Sequence, residues 1–281
     1  MALVVNTNVT SNIVQANLTR ANSAVNKSIE RLSTGYKINH AVDDAAGLAI
    51  AKGFEAQSSG TLVAKDNTQH GINLLQTAEG DLDVIQDNLQ RIRDLSVQAA
   101  NGTYSTSEKA MMAQEVNSRI EEITRVATIS KFSGITLLDG QCEEMVLQVG
   151  ANTGENNQLD ISSALSRATA TALNENFTSD YISNAFKTSK GANAFIAEVD
   201  KAIDKVSGSR ASIGAFQNRL ESTLTSLDVR YQNMASSLST IQDTDVAAEA
   251  ANLTKAQILQ SVSVSLLAQA NSNPSVALNL I

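Results

Sequence analysis

The sequence predicts a mainly α-helical fold of long antiparallel coiled-coil rods in a helical bundle, with a small β-hairpin region. Three observations predict it. Alternating steps of three and four residues from Ile196 pick out Val199, Ile203, Val206, Ile213, Leu220, Leu224, Leu227, Tyr231, Met234, Leu238 and Ile241, interrupted only by Arg210 and Gln217. A 3-4 repeat kept over so many turns holds one narrow stripe against a partner helix, and such a helix is about 69 Å long at roughly 1.5 Å per residue. A second stripe lies earlier, at Leu75, Ala78, Leu82, Ile85, Leu89, Ile92, Ser96 and Ala99. The chain also has 1 proline in 281 residues, where an average usage of about 5% would supply about fourteen.

The second stripe ends near Gly102. A third segment opens at Ser105, which forms a predicted capping box with Glu108, and carries Ala113, Val116, Ile120, Ile123 and Ala127. Two helices joined by so short a turn make a hairpin on which the C-terminal helix can lie. Arg210 and Gln217 are polar residues inside a seam, a usual register device.

Composition limits the function. Hydrophobic residues make up 42% of the chain and charged residues 18%, with no Trp and a net charge of -8. With no Lys/Arg cluster, the acidic balance disfavours a nucleic-acid partner. No apolar run approaches the ~18 residues of a membrane span, and no basic and apolar opening marks a standard secretory signal. A single cysteine, Cys142, excludes an intrachain disulfide. His40 and His70 lack ligand-spaced partners, so a metal site is not expected. HExxH, CxxC and Gly-rich phosphate motifs are absent from the sequence, and neither catalysis nor a cofactor is expected.

The two ends are unusual. Neither Met1–Thr19 nor Ala256–Ile281 contains a charged residue. Leu18, Val25 and Leu32 with Ile29 near the start, and Leu253, Leu259, Val262 and Leu266 near the end, give each a helical pattern. Ser, Thr, Asn and Gln between them rule out a span. Uncharged helices of this kind are explained by burial among other chains. Between the ends and the rods, Gly35 is a predicted helix C-cap and Asp43 a predicted N-cap for the helix opening at Ala45.

Several blocks resemble bacterial flagellin. They are SIERLSTGYKINHAVDDAAGLAIA from Ser28, GINLLQTAEGDLDVIQDNLQRIRDLSVQAANG from Gly71 to Gly102, ISKFSGITLLDG from Ile129 to Gly140 and LQVGAN from Leu147. SRASIGAFQNRLES from Ser209 and IQDTDVAAEAANLTKAQIL from Ile241 follow in the family's order. The resemblance implies paired N- and C-terminal segments and two domains. Residues 1–44 with 242–281 would form the inner filament core, with Leu18, Val25, Ile29, Leu32, Leu253, Leu259, Val262 and Leu266 at its interface. Residues 45–241 would form the outer rod domain, with Leu82, Ile85, Leu89, Ile92, Val116, Ile120, Ile123, Ile203, Leu220, Leu224 and Leu227 in its core. Alternation around Gly150–Gly154 predicts the β-hairpin at about 143–161, and a short irregular stretch at 162–191 stands in place of variable outer domains.

The resemblance further implies a secreted, extracellular subunit that self-assembles into a helical homopolymer, the motility filament. Its partners would be the flagellar export apparatus, a flagellin chaperone and the filament cap. A hook-associated junction protein of the flagellum is the alternative. Gln90–Gln98 resembles the family segment bound by the host Toll-like flagellin receptor, which implies Arg91, Leu95 and Glu115 in receptor binding or subunit contact. By pattern, Asp87, Arg91, Asp94 and Gln98 face solvent with Leu95 beside them, and Asp87 and Arg91 are placed for a surface ion pair.

Overall fold

The computed structural model describes residues 7–141 and 144–278, with side chains to Ser272; Cys142 and the outermost residues of both predicted terminal segments lie outside the described residues. The chain is mainly helical: α1 (Val9–Thr34), α2 (Ala45–Ala100), α3 (Thr106–Ile129), α4 (Ala170–Leu173), α5 (Ser179–Ala185), α6 (Ser189–Gln242) and α7 (Val246–Leu278). Two small antiparallel hairpins pair β1 (Lys131–Phe132) with β2 (Ile135–Thr136) and β3 (Val146–Gln148) with β4 (Gln158–Asp160). Two compact units result, one up to Ala56 together with the chain from Asn233, the other Gln57–Gln232. Their limits fall inside α2 and α6.

In the unit containing both ends, α1 and α7 pair antiparallel. Asn8 Nδ2 donates to the Ala270 carbonyl at 2.7 Å and Gln260 Nε2 to Asn22 Oδ1 at 2.8 Å, so low numbers on α1 meet high numbers on α7. Helix α1 stops because Gly35 takes φ 77°, the left-handed cap, and its N–H bonds the Arg31 carbonyl. A short ladder then ties the segment after α1 to the α6–α7 junction: Lys37 N donates to Gln242 O and Thr244 N to Gly35 O, both at 2.8 Å.

The N-cap of α2 corrects the expectation by one residue. Asp44 Oδ1 accepts from Gly47 N at 2.9 Å, while Asp43 Oδ2 accepts from Asn39 N and His40 N in the preceding turn. Asp43 also holds Lys27 at 2.6 Å. The Lys27 hydrogen bond, with those backbone donors, lowers the Asp43 pKa to about 2.

In the other unit α2, α3 and α6 carry the long core. Leu82, Ile85, Leu89, Ile92, Val116, Ile120, Ile123, Leu220 and Leu227 are buried; Ile203 and Leu224 are half-buried. The Ser105–Glu108 capping box at α3 forms in both directions. Arg210 reaches Gln86 Oε1 and Asp83 Oδ1, both at 2.8 Å, and Gln217 reaches Glu79 Oε2 at 3.1 Å. The seam's two polar residues are thus matched across α2 and α6, which fixes their antiparallel register. The β3–β4 hairpin lies close on the helices: a Cβ on Gly71 would meet Leu147 Cδ1 at 2.3 Å.

Residues 162–191 are not irregular. They contain a 3-10 turn at Ser162–Ala164, the helices α4 and α5, and the start of α6 at Ser189. Leu165, Leu173, Phe177, Ile182 and Phe186 are buried in the same core as the long helices. Phe177, Tyr181 and Phe186 surround Phe195 with ring centroids 5.8, 6.3 and 5.7 Å away, the separations of favourable tilted and edge contacts.

Candidate assembly and recognition surfaces

The α1–α7 pair has two kinds of face. Turned inward on α7 are Glu249, Leu253, Ala256, Gln260, Ser263, Leu267 and Ala270, all buried or half-buried at 3-4 spacing. On α1 the corresponding set is Val14, Leu18, Ala21, Val25, Ser28 and Leu32. This seam is rich in small residues, and it includes an acid. Glu249 is 6% exposed, accepts a 2.5 Å bond from Ser28 Oγ and lies 3.4 Å from Arg31. The Ser28 hydrogen bond, aided by the Arg31 charge, lowers its pKa against the cost of burial.

Leu18, Val25, Leu32 and Leu253 therefore occupy the intrachain seam. Ile29, Leu259, Val262 and Leu266 do not; each is about half exposed on the opposite faces, with Leu266 at 52%. The reason is geometric. Residues 256, 263 and 270 form the heptad stripe with 253, 260 and 267, which turns 259, 262 and 266 away from α1. Ile258, Val264, Val9 and Ile13 join this outward apolar set, and α7 is uncharged from Ala256 to Ser272. Scattered exposed aliphatics are ordinary; here they gather on one uncharged stretch of helix.

Arg91 and Leu95 lie on α2 and Glu115 on α3. Arg91 Nε donates to Glu115 Oε1 at 3.0 Å, so the guanidinium is held by α3 and not by Asp87. Asp87, Asp94 and Gln98 are exposed as expected. Leu95 departs from the surface position read for it: it is 3% exposed and belongs to the core. The helical stripe is one residue wider there, because α3 packs beside Leu95 as well as Ile92. Arg91, Leu95, Tyr104, Met111 and Glu115 are among the residues lining a cavity of about 300 Å³.

Among the described residues no helix is long and apolar enough to cross a membrane. No group of three His, Cys, Asp or Glu among them is placed to hold a metal.

Residues 5–143 match the bacterial flagellin N-terminal helical region, and residues 196–281 the C-terminal helical region. A flagellin of Halalkalibacterium halodurans is 40% identical over 255 residues, covering 91% of each chain. The flagellar filament 33 kDa core protein of Treponema phagedenis is 35% identical, covering 99% of this chain and all of that one. Among solved structures, a Vibrio parahaemolyticus protein assigned as flagellar hook-associated covers 72% of this chain and all of that one, with a TM-score of 0.59. At 15% identity that likeness shows a shared fold alone. With both terminal regions matched and relatives aligned over nearly the whole chain, the protein belongs to the bacterial flagellin family.

Proposed function

We propose that this chain is the repeating subunit of a flagellar filament and works by self-assembly, without catalysis. The observation that carries the reading is the two-faced α1–α7 pair, with one face spent on its partner helix and the other presenting Ile29, Leu259, Val262 and Leu266 outward. A surface whose complement lies elsewhere on another copy makes head-to-tail contacts, and these extend into a helical polymer when they do not close. Residues 1–44 with 242–281 are proposed as the filament core and 45–241 as the surrounding rods. Electron microscopy of purified protein added to filament seeds tests this. Long filaments are expected, whereas growth that stops after a short cap would favour the hook-associated alternative.

The same reading has the chain leave the cell through the flagellar export apparatus, its apolar tail held by a chaperone, and assemble beneath a filament cap into an extracellular filament. Family membership supports these partners, as does the unpartnered apolar face of α7. For host recognition, Arg91 and Glu115 on the α2–α3 surface are proposed as direct contacts of the Toll-like receptor. Leu95, being buried, would shape that surface from beneath. In a receptor reporter assay on monomer, Arg91→Ala should reduce the response with helicity intact; an undiminished response would remove this face from the receptor reading.

A further inference from the structure

A cleft of about 360 Å³ separates the β3–β4 hairpin from α6, inside one compact unit. Arg219 and Arg230 both line it, along with Asn156, Asn157, Ser222 and Ser226. The two arginines are eleven residues apart on α6, three helical turns, which puts them on one face.

Their surroundings set them apart. Elsewhere in this unit arginines hold carboxylates: Arg91 and Arg119 share Glu115, Arg93 holds Asp200, Arg125 holds Glu122 and Arg210 holds Asp83. Among the described residues Arg219 and Arg230 hold none, and no Asp or Glu lines the cleft. Asp228 is engaged by Lys65, Asp160 Oδ1 accepts from Ser162 N, and Glu221 and Glu155, though beside cleft residues in sequence, do not line it. Arg167, also without a carboxylate, lies outside the cleft with its stem over Gly140.

The cleft's other groups are neutral. Ser222 Oγ already donates to Asn218 O and Asn157 Nδ2 to Thr153 O, leaving the Asn156 amide and the Ser226 hydroxyl as further donors beside the two guanidiniums. A guanidinium offers parallel N–H donors that match carboxylate or phosphate oxygens in pairs, and the volume lies within the range of small-molecule sites. In a chain of net charge -8, general anion attraction is absent, so any affinity for anions must come from a local arrangement such as this.

We propose that this cleft binds an extended oxyanion with an anionic group at each end, one taken by Arg219 and the other by Arg230. Oligophosphates and polycarboxylates share that chemistry. The site lies within one unit of the monomer and does not depend on the filament reading.

Titration calorimetry on full-length monomer at low salt tests it, with inorganic tripolyphosphate and citrate as separate probes to distinguish phosphate from carboxylate preference. Saturable binding of at least one probe is expected. Affinity should fall at least about tenfold in Arg219→Gln/Arg230→Gln and partly in each single variant, as expected for loss of paired charge-assisted bonds. It should be unchanged in Arg119→Gln/Arg125→Gln. Both sites are exposed and glutamine is a good helix former, so circular dichroism should show intact helix in every variant. No saturable binding of either probe by the wild type, or equal binding by the Arg219 and Arg230 variants, would overturn the proposal.

Discussion

Adjacent aspartates show how one position changes a role. Asp44 caps α2, while Asp43 gathers Lys27 and two backbone N–H groups. The Asp43 pKa is lowered from 3.8 to about 2, so its folded-state advantage is complete above about 4 and lost as pH falls through about 2. Asp43→Asn should therefore lower the melting temperature of the unit containing both ends at neutral pH, with the difference from wild type shrinking as pH falls toward and through about 2. An equal deficit at both pH values would show that geometry, not charge, is what the substitution removes. Glu249 obeys the same sign: its stabilising effect is present above its ordinary pKa of 4.5 and fades below, as its lowered folded-state value is crossed. Glu249→Ala leaves Ser28 and Arg31 without their acceptor and should cost on the order of 2 kcal/mol, read as a lower denaturant midpoint for the α1–α7 pair. None of this was legible from spacing, because a lone Glu between alanines on a terminal helix carries no signal until its partner helix is known.

At the scale of elements, long periodicity was readable and short segments were not. Of the α6 seam, Val199, Val206, Ile213, Leu220 and Leu227 are buried, while Ile203, Leu224, Met234, Leu238 and Ile241 are half-buried and Tyr231 is exposed; the 3-4 stripe locates the packed face but not how deeply each position is covered. Arg210 and Gln217 read as register devices, and their partners Asp83, Gln86 and Glu79 emerge only from the antiparallel pairing. Residues 162–191 were missed as structure because α4 and α5, of 4 and 7 residues, are too short for a helical period to declare itself. The β1–β2 hairpin was missed for a similar reason. Its turn puts Ser133 at φ 52° and Gly134 at φ 87°, and a Ser-Gly pair between two-residue strands is a faint hairpin signal. The aromatic cluster gives the test of this segment. Phe195 is fully buried against three rings, so Phe195→Ala should destabilise that unit by about 3–5 kcal/mol. A loss below about 1 kcal/mol would mean that 162–191 is only loosely attached.

For the molecule as a whole, the sequence reads the uncharged ends as surfaces awaiting copies, but which residues face the partner helix and which face outward was not legible in it. Both stripes of α7 are apolar enough to serve, and the packing of α1 decides between them. In the intrachain seam the fully buried positions are mostly small, Ala21, Ser28, Ala256, Ser263 and Ala270, while Leu18, Leu32, Leu253 and Leu267 stay half-buried. Pairing α1 with α7 therefore removes less apolar area from water than burial of the leucines and isoleucines does in the other unit. Limited proteolysis of dilute monomer should accordingly cut α1 and α7 before the long helices of the other unit. Equal resistance throughout would place more stability in the terminal pair than its seam provides.

The central claim is that the outward face of α7 is buried between copies of this chain. Seeded elongation of wild type beside Leu266→Asp, with far-UV circular dichroism on both monomers, tests it most directly. Leu266 is 52% exposed in the single chain, so aspartate there should leave monomer helicity unchanged. Burying that charge without a partner between subunits should cost several kcal/mol and abolish elongation. Filaments of normal length and growth rate from Leu266→Asp would contradict the account.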